Sequence, residues 1–183
     1  MQNVFLISDM HFGHSNIIKY ENRPFKSVVE MDETIIGNWN KAVQRDDKVF
    51  ILGDVSFYGV DKTKDIIEKL NGYKTLIIGN HDKDRSLKWW RDTGIQEVYQ
   101  YPIIYNQFYI LSHEPVYLSV NMPYANIHGH IHHLKYADNQ YFNVSVECID
   151  YTPINFETAK EIILSKSIEK QNQTNYDLRE EIL

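Results

Sequence analysis

The sequence predicts an α/β fold of two sheets flanked by helices, on three observations. Short apolar, β-branched runs recur along its 183 residues. Helical patterns separate the early runs, as parallel βαβ units require. From Glu97 onward the chain becomes strand-rich with tight connections, which a single doubly wound sheet would not need.

The expected strands are Val4–Ile7, Val49–Leu52, Thr75–Ile78, Phe108–Leu111, Ala125–Ile127 and Tyr141–Ile149. Ser27 and Glu30 form a capping box before Met31, Ile35, Trp39 and Val43, which recur every four residues as one helix face. Asp61–Leu70 reads as a helix with Ile66, Ile67 and Leu70 inward, stopped by Asn71-Gly72. Ser86–Arg91 is a short helix whose Trp89 and Trp90 cover core, and Asn155–Ser167 is the last. The length suits one domain, expected over residues 1–169, followed by a polar tail over 170–183.

Composition narrows the function. A formal charge of -6 excludes an extended nucleic-acid surface, which needs a basic stripe. Bound cations can still reverse the sign locally. Cys148, the single cysteine, rules out an internal disulfide. It shares a face with Phe142, Val144 and Val146 by alternation, so a buried, inert thiol is expected. No apolar run reaches membrane-spanning length and no signal peptide is legible, so the cytoplasm is the expected location.

Chemistry gathers behind the apolar runs. Asp9 and His11 follow the first, Gly53-Asp54 the second and "GNHD" (Gly79–Asp82) the third. His113 and "HGHIHH" (His128–His133) follow two later ones. In α/β sheets ligands bind at this carboxyl edge, where the loops converge. The glycines before Asp54, Asn80 and His130 are expected to turn the backbone sharply. Carboxylates, imidazoles and an amide, without thiolate, suit a divalent Mn, Fe, Zn, Co or Ni site. All eight histidines lie in these segments, so none is a scattered structural residue. His128 and His133 flank the best pair and are expected to be structural or supporting. His14 either caps a helix starting near Asn16 or meets substrate. Arg23, in "YENRPF", either forks onto a phosphate oxygen or is a surface arginine before a proline.

The ordered set Asp9-x-His11, Gly53-Asp54, Gly79-Asn80-His81-Asp82, His113 and Gly129-His130-x-His132 resembles the calcineurin-like metallophosphoesterase superfamily, in its small bacterial and phage-type form. The resemblance runs to about Ile149. It implies a four-layer α/β/β/α sandwich and hydrolysis of phosphate esters with two divalent ions, manganese favoured. By position, Asp9, His11 and His132 would hold one ion, Asn80, His113 and His130 the second, and Asp54 both. His81 would be the proton donor, oriented by Asp82. Many relatives carry a further aspartate three residues after the bridging one, then an arginine. Phe57 and Tyr58 stand there instead, which favours small phosphodiesters or nucleotide-like esters over phosphoproteins. Phosphomonoesters and pyrophosphate-linked nucleotides are the alternatives. A non-catalytic scaffold of the same fold would be expected to lose ligands or His81.

Overall fold

In a computed structural model, residues 2–119, 121–134, 136 and 139–167 are described. The expected tail over 170–183 lies outside them. A five-stranded sheet is ordered β4-β3-β2-β1-β9, from β1 (Val4–Ile7), β2 (Lys48–Ile51), β3 (Tyr73–Ile77), β4 (Glu97–Tyr99) and β9 (Ile154–Asn155). Strands β1 to β4 run parallel and β9 antiparallel. The second sheet is ordered β5-β6-β7-β8, from β5 (Ile103–Tyr105), β6 (Tyr109–Leu111), β7 (Ala125–His128) and β8 (Tyr141–Asn143).

Both faces of the first sheet are buried, which explains its unbroken apolar runs. Phe5 and Ile7 of β1 and Val49 and Ile51 of β2 join one core. Its other wall is α2 (Val28–Ala42), α3 (Val60–Lys69) and α4 (Leu87–Asp92), through Met31, Ile35, Trp39, Ile66, Ile67 and Trp90. Leu6, Phe50, Leu52 and Ile77 point the other way, to Leu111, Ile127, Phe142 and Val144. Phe156, Ala159 and Ile163 of the helix over residues 156–167 close that second core. A two-residue period thus sorts each strand between helices and partner sheet. The two-sheet sandwich flanked by helices is the expected architecture.

Helix α2 starts as expected: the Glu30 amide donates to Ser27 Oγ. The Glu30 carboxylate reaches back one residue further, to the Lys26 amide. A shorter helix, α1, spans Ile17–Tyr20.

Three expectations need correction. The expected strand over Tyr141–Ile149 stops at Asn143; Ser145 bridges to Ser8, and a 3-10 turn follows at Val146–Cys148. Cys148 is therefore half-buried rather than buried, and its thiol donates to the His132 carbonyl. The last helix begins one residue late, because Ile154–Asn155 pairs with β1.

Candidate metal centre

Backbone pairing continues past the strands and carries the candidate ligands together. Beyond β1 and β2, the amides of Asp9, His11 and Phe12 donate to the carbonyls of Gly53, Asp54 and Val55 at 3.0–3.1 Å. The loops after β1 and β2 therefore run side by side. The second sheet is stitched on at the same edge, where the Ser8 amide donates to the Val144 carbonyl and the Val146 amide to the Ser8 carbonyl.

The backbone is strained there. Asp9, His11, Asp54, His130 and His132 all have φ between 49° and 70°. They make up half of the ten non-glycine positive-φ residues among those described, and such conformations concentrate at functional sites. The glycines divide their roles, which corrects the expectation of three sharp turns. Gly53 supplies a turn at φ 89°, whereas Gly129 permits close approach: a Cβ there would collide with Ser8 Oγ and Asp9 Oδ2.

Seven predicted ligands converge. Atoms of Asp9, His11 and His132 lie within 4.8 Å of one another, as do those of Asp9, Asp54 and His113. Asp54 Oδ2 is 3.5 Å from His11 Nε2 and 3.5 Å from His113 Nε2. Asn80 Oδ1 lies 2.7 Å from His113 Nε2 and 3.0 Å from His130 Nδ1.

These atoms are donor-poor in a way that fits a cation. The Leu52 carbonyl can only accept, so His113 Nδ1, 2.7 Å away, carries the proton and Nε2 presents a lone pair. The same argument at Glu147 puts the proton of neutral His132 on Nδ1. Asp9 Oδ1 and both His11 nitrogens are buried without a hydrogen bond. Buried acceptors facing one another are costly unless a cation sits among them. Burial pushes the Asp54 carboxyl up to about 6, against the pull of His113, with the charges of Asp9 and Asp82 adding to the rise. Burial pushes His11 down to about 4, which keeps its imidazole neutral and ligand-ready.

The remaining predicted residues divide. His81 is exposed, its ring centroid 5.6 Å from that of His11, and its amide donates to Asp54 Oδ1. Asp82 is buried and spends its carboxylate on the amides of Asp54, Val55 and Gly79. It shapes the turn and fixes Asp54, rather than gripping the His81 ring as expected. His14 stands at the rim, stacked on Phe57 with centroids 4.1 Å apart. The buried His128 ring contacts its neighbour's carbonyl at Gly129, and exposed His133 pairs with Glu21; neither joins the seven converging residues.

Arg23 corrects both expectations. It is 3% exposed, donates to the carbonyls of Asp9 and Met10, and pairs with Glu147 at 2.6 Å. Its guanidinium clamps the ligand loop from behind, so it is neither a phosphate contact nor a surface residue. Glu147 was missed: it links Arg23 to His132 Nδ1, at 3.1 Å, and so orients a ligand. A charged residue inside the apolar alternation of "VSVECI" was the available signal. Trp90 is fully buried, as a core role requires.

Known proteins show the same pattern. The sequence profile of the calcineurin-like phosphoesterase family matches residues 3–178. An uncharacterized protein of Methanocaldococcus jannaschii, MJ1445, is 39% identical over 175 residues, covering 89% of this chain and 92% of that protein. The Gene 66 protein of Mycobacterium phage L5 is 39% identical over 88 residues, which covers 45% of this chain and 41% of that protein. A solved structure, the protein of unknown function AQ665 from Aquifex aeolicus, superposes with a TM-score of 0.70 at 26% identity. That match covers 88% of this chain and 100% of AQ665. Sequence, fold and converging donors agree, and this chain belongs to the calcineurin-like phosphoesterase family.

Proposed function

We propose that this protein is a dinuclear, divalent-metal-dependent phosphohydrolase that prefers phosphodiesters. The observation that carries the reading is Asp54 Oδ2, equidistant at 3.5 Å from His11 Nε2 and His113 Nε2. In this reading Asp9, His11 and His132 would hold one ion, Asn80, His113 and His130 the other, and Asp54 would serve both. The mixed carboxylate, amide and imidazole donors suit Mn, Fe, Zn, Co or Ni, and among these manganese is the ion that the family resemblance favours. Bound ions supply Lewis acidity toward the phosphoryl oxygens and toward water.

The protein's own groups do the rest. Asp9 and Asp54 fix the donors, and Glu147 holds the His132 ring in one tautomer. His81 stands exposed over the cluster on a backbone pinned to Asp54, where it hands a proton to the leaving oxygen. Phe57 and Tyr58 offer no charge for a phosphoprotein surface, which supports small diesters. Among the described residues no helix is long and apolar enough to cross a membrane.

Elemental analysis joined to a screen of mono- and diesters tests the reading. His81→Ala adds a sharper check: the variant should keep its metals, since His81 is no ligand. Its kcat/KM should fall most for alkoxide leaving groups and least for p-nitrophenolate, which departs without a proton. Equal losses on both would exclude proton donation.

A further inference from the structure

Beside the cluster lies a cavity of about 440 Å³, within the range of roughly 300–1,000 Å³ typical of small-molecule sites. We infer that it is a nucleoside subsite, so that the physiological substrates are nucleotide esters. The inference rests on the phosphohydrolase reading, and three features of the cavity support it.

The first is position. Ile78 follows β3 two residues before Asn80, and Gln100 and Tyr101 directly follow β4. The cavity thus occupies the carboxyl edge of the same parallel sheet, one strand outward from the candidate ligands. A substrate whose phosphate meets that cluster has this edge available for its leaving group or second arm.

The second is chemistry. Ile78 and Leu87 give apolar surface, and Tyr101 presents a ring that is 72% exposed. An exposed tyrosine beside an apolar wall is a stacking surface for a planar base. Gln100 adds an amide that can read a base edge.

The third is charge. Lys83 and Arg85 line the same cavity in a chain of net negative charge. Arg85 is held by hydrogen bonds to the carbonyls of Ser56 and Tyr58 and lies over Trp89. Lys83 is exposed and pairs at 3.5 Å with Glu114, the residue after His113. Two cations, one held by backbone carbonyls and one exposed, suit the anionic phosphate that a nucleotide carries on its ribose. A simple alkyl phosphate would leave ring, amide and apolar wall unused.

The test is binding rather than turnover. The affinities of manganese-loaded protein for AMP and for ribose 5-phosphate are measured by calorimetry, with chromatography confirming that the ligand is intact. Wild type should bind AMP about tenfold or more tighter, the gain from stacking one base. Tyr101→Ala should remove most of that gain and leave ribose 5-phosphate unchanged. Lys83→Ala should weaken AMP binding more at low salt than at high salt. Equal wild-type affinities for the two ligands, or a Tyr101→Ala variant that keeps the full gain, would overturn the subsite. Failure to hydrolyse any ester would instead strike the phosphohydrolase reading and leave AMP binding intact.

Discussion

Asp54→Asn is expected to lower kcat/KM by more than about 100-fold and, in the proposed dinuclear site, to cost at least one metal ion. Removal of mere supporting residues around a metal costs roughly 10–100-fold. Asp54 is nearer the chemistry than those. Its Oδ2 faces imidazoles from both halves of the cluster, and its Oδ1 accepts the His81 amide. Asparagine keeps the shape and removes the charge, so folding is preserved while attraction for two cations is weakened. The protonation preference of the metal-free site points the same way. A carboxyl pushed up to about 6 by burial, with Asp9 and Asp82 adding to the rise, sits where negative charge is in excess and a cation relieves it. Kinetics on a diester, paired with elemental analysis, check both halves. Full turnover with two ions retained would remove Asp54 from the bridging place.

Arg23→Ala destabilises the fold by about 3–5 kcal/mol, the cost of stranding a buried ion-pair partner. The Arg23 side chain is fully buried and that of Glu147 nearly so. Removing the guanidinium also leaves the carbonyls of Asp9 and Met10 without those donors. Against a typical total stability of about 5–15 kcal/mol, that loss is large. Manganese affinity falls as well, since Glu147 no longer holds His132 as firmly. Arg23→Lys restores little, because one ammonium cannot reach both carbonyls and the carboxylate together. Denaturant titration of the metal-free protein measures the first effect. A change in stability below about 1 kcal/mol, the scale of an exposed ion pair, would contradict the clamp.

Strands β1 to β3 of the first sheet were legible because strands buried on both faces read as unbroken apolar runs, whereas β4, three residues that begin with Glu97, was not. Val4–Ile7 agrees with the sequence to the residue, and β2 and β3 to within two. Ile103–Tyr105 was invisible: three residues with no buried member and no alternation. Ile154–Asn155 is shorter still. Tyr141–Ile149 misled because its apolar period continues after Ser145 has already crossed to the first sheet. At the site, strand-end placement located the seven candidate ligands, since chemistry follows topology there. The supporting layer was less readable. Asp82 and Arg23 are fixed by backbone amides and carbonyls that strained loops leave without strand partners, and no residue pattern announces those. Glu147 could have been noticed as a lone charge in an apolar stretch.

Electron paramagnetic resonance of the manganese-loaded protein reads directly whether Asp54 stands between two metal ions. Ions sharing a carboxylate at about 3.5–4 Å separation couple magnetically. Two manganese ions per chain with an exchange-coupled spectrum are expected, reduced in Asp54→Asn to one ion or to an uncoupled signal. One ion per wild-type chain, or two that show no coupling, would contradict that arrangement.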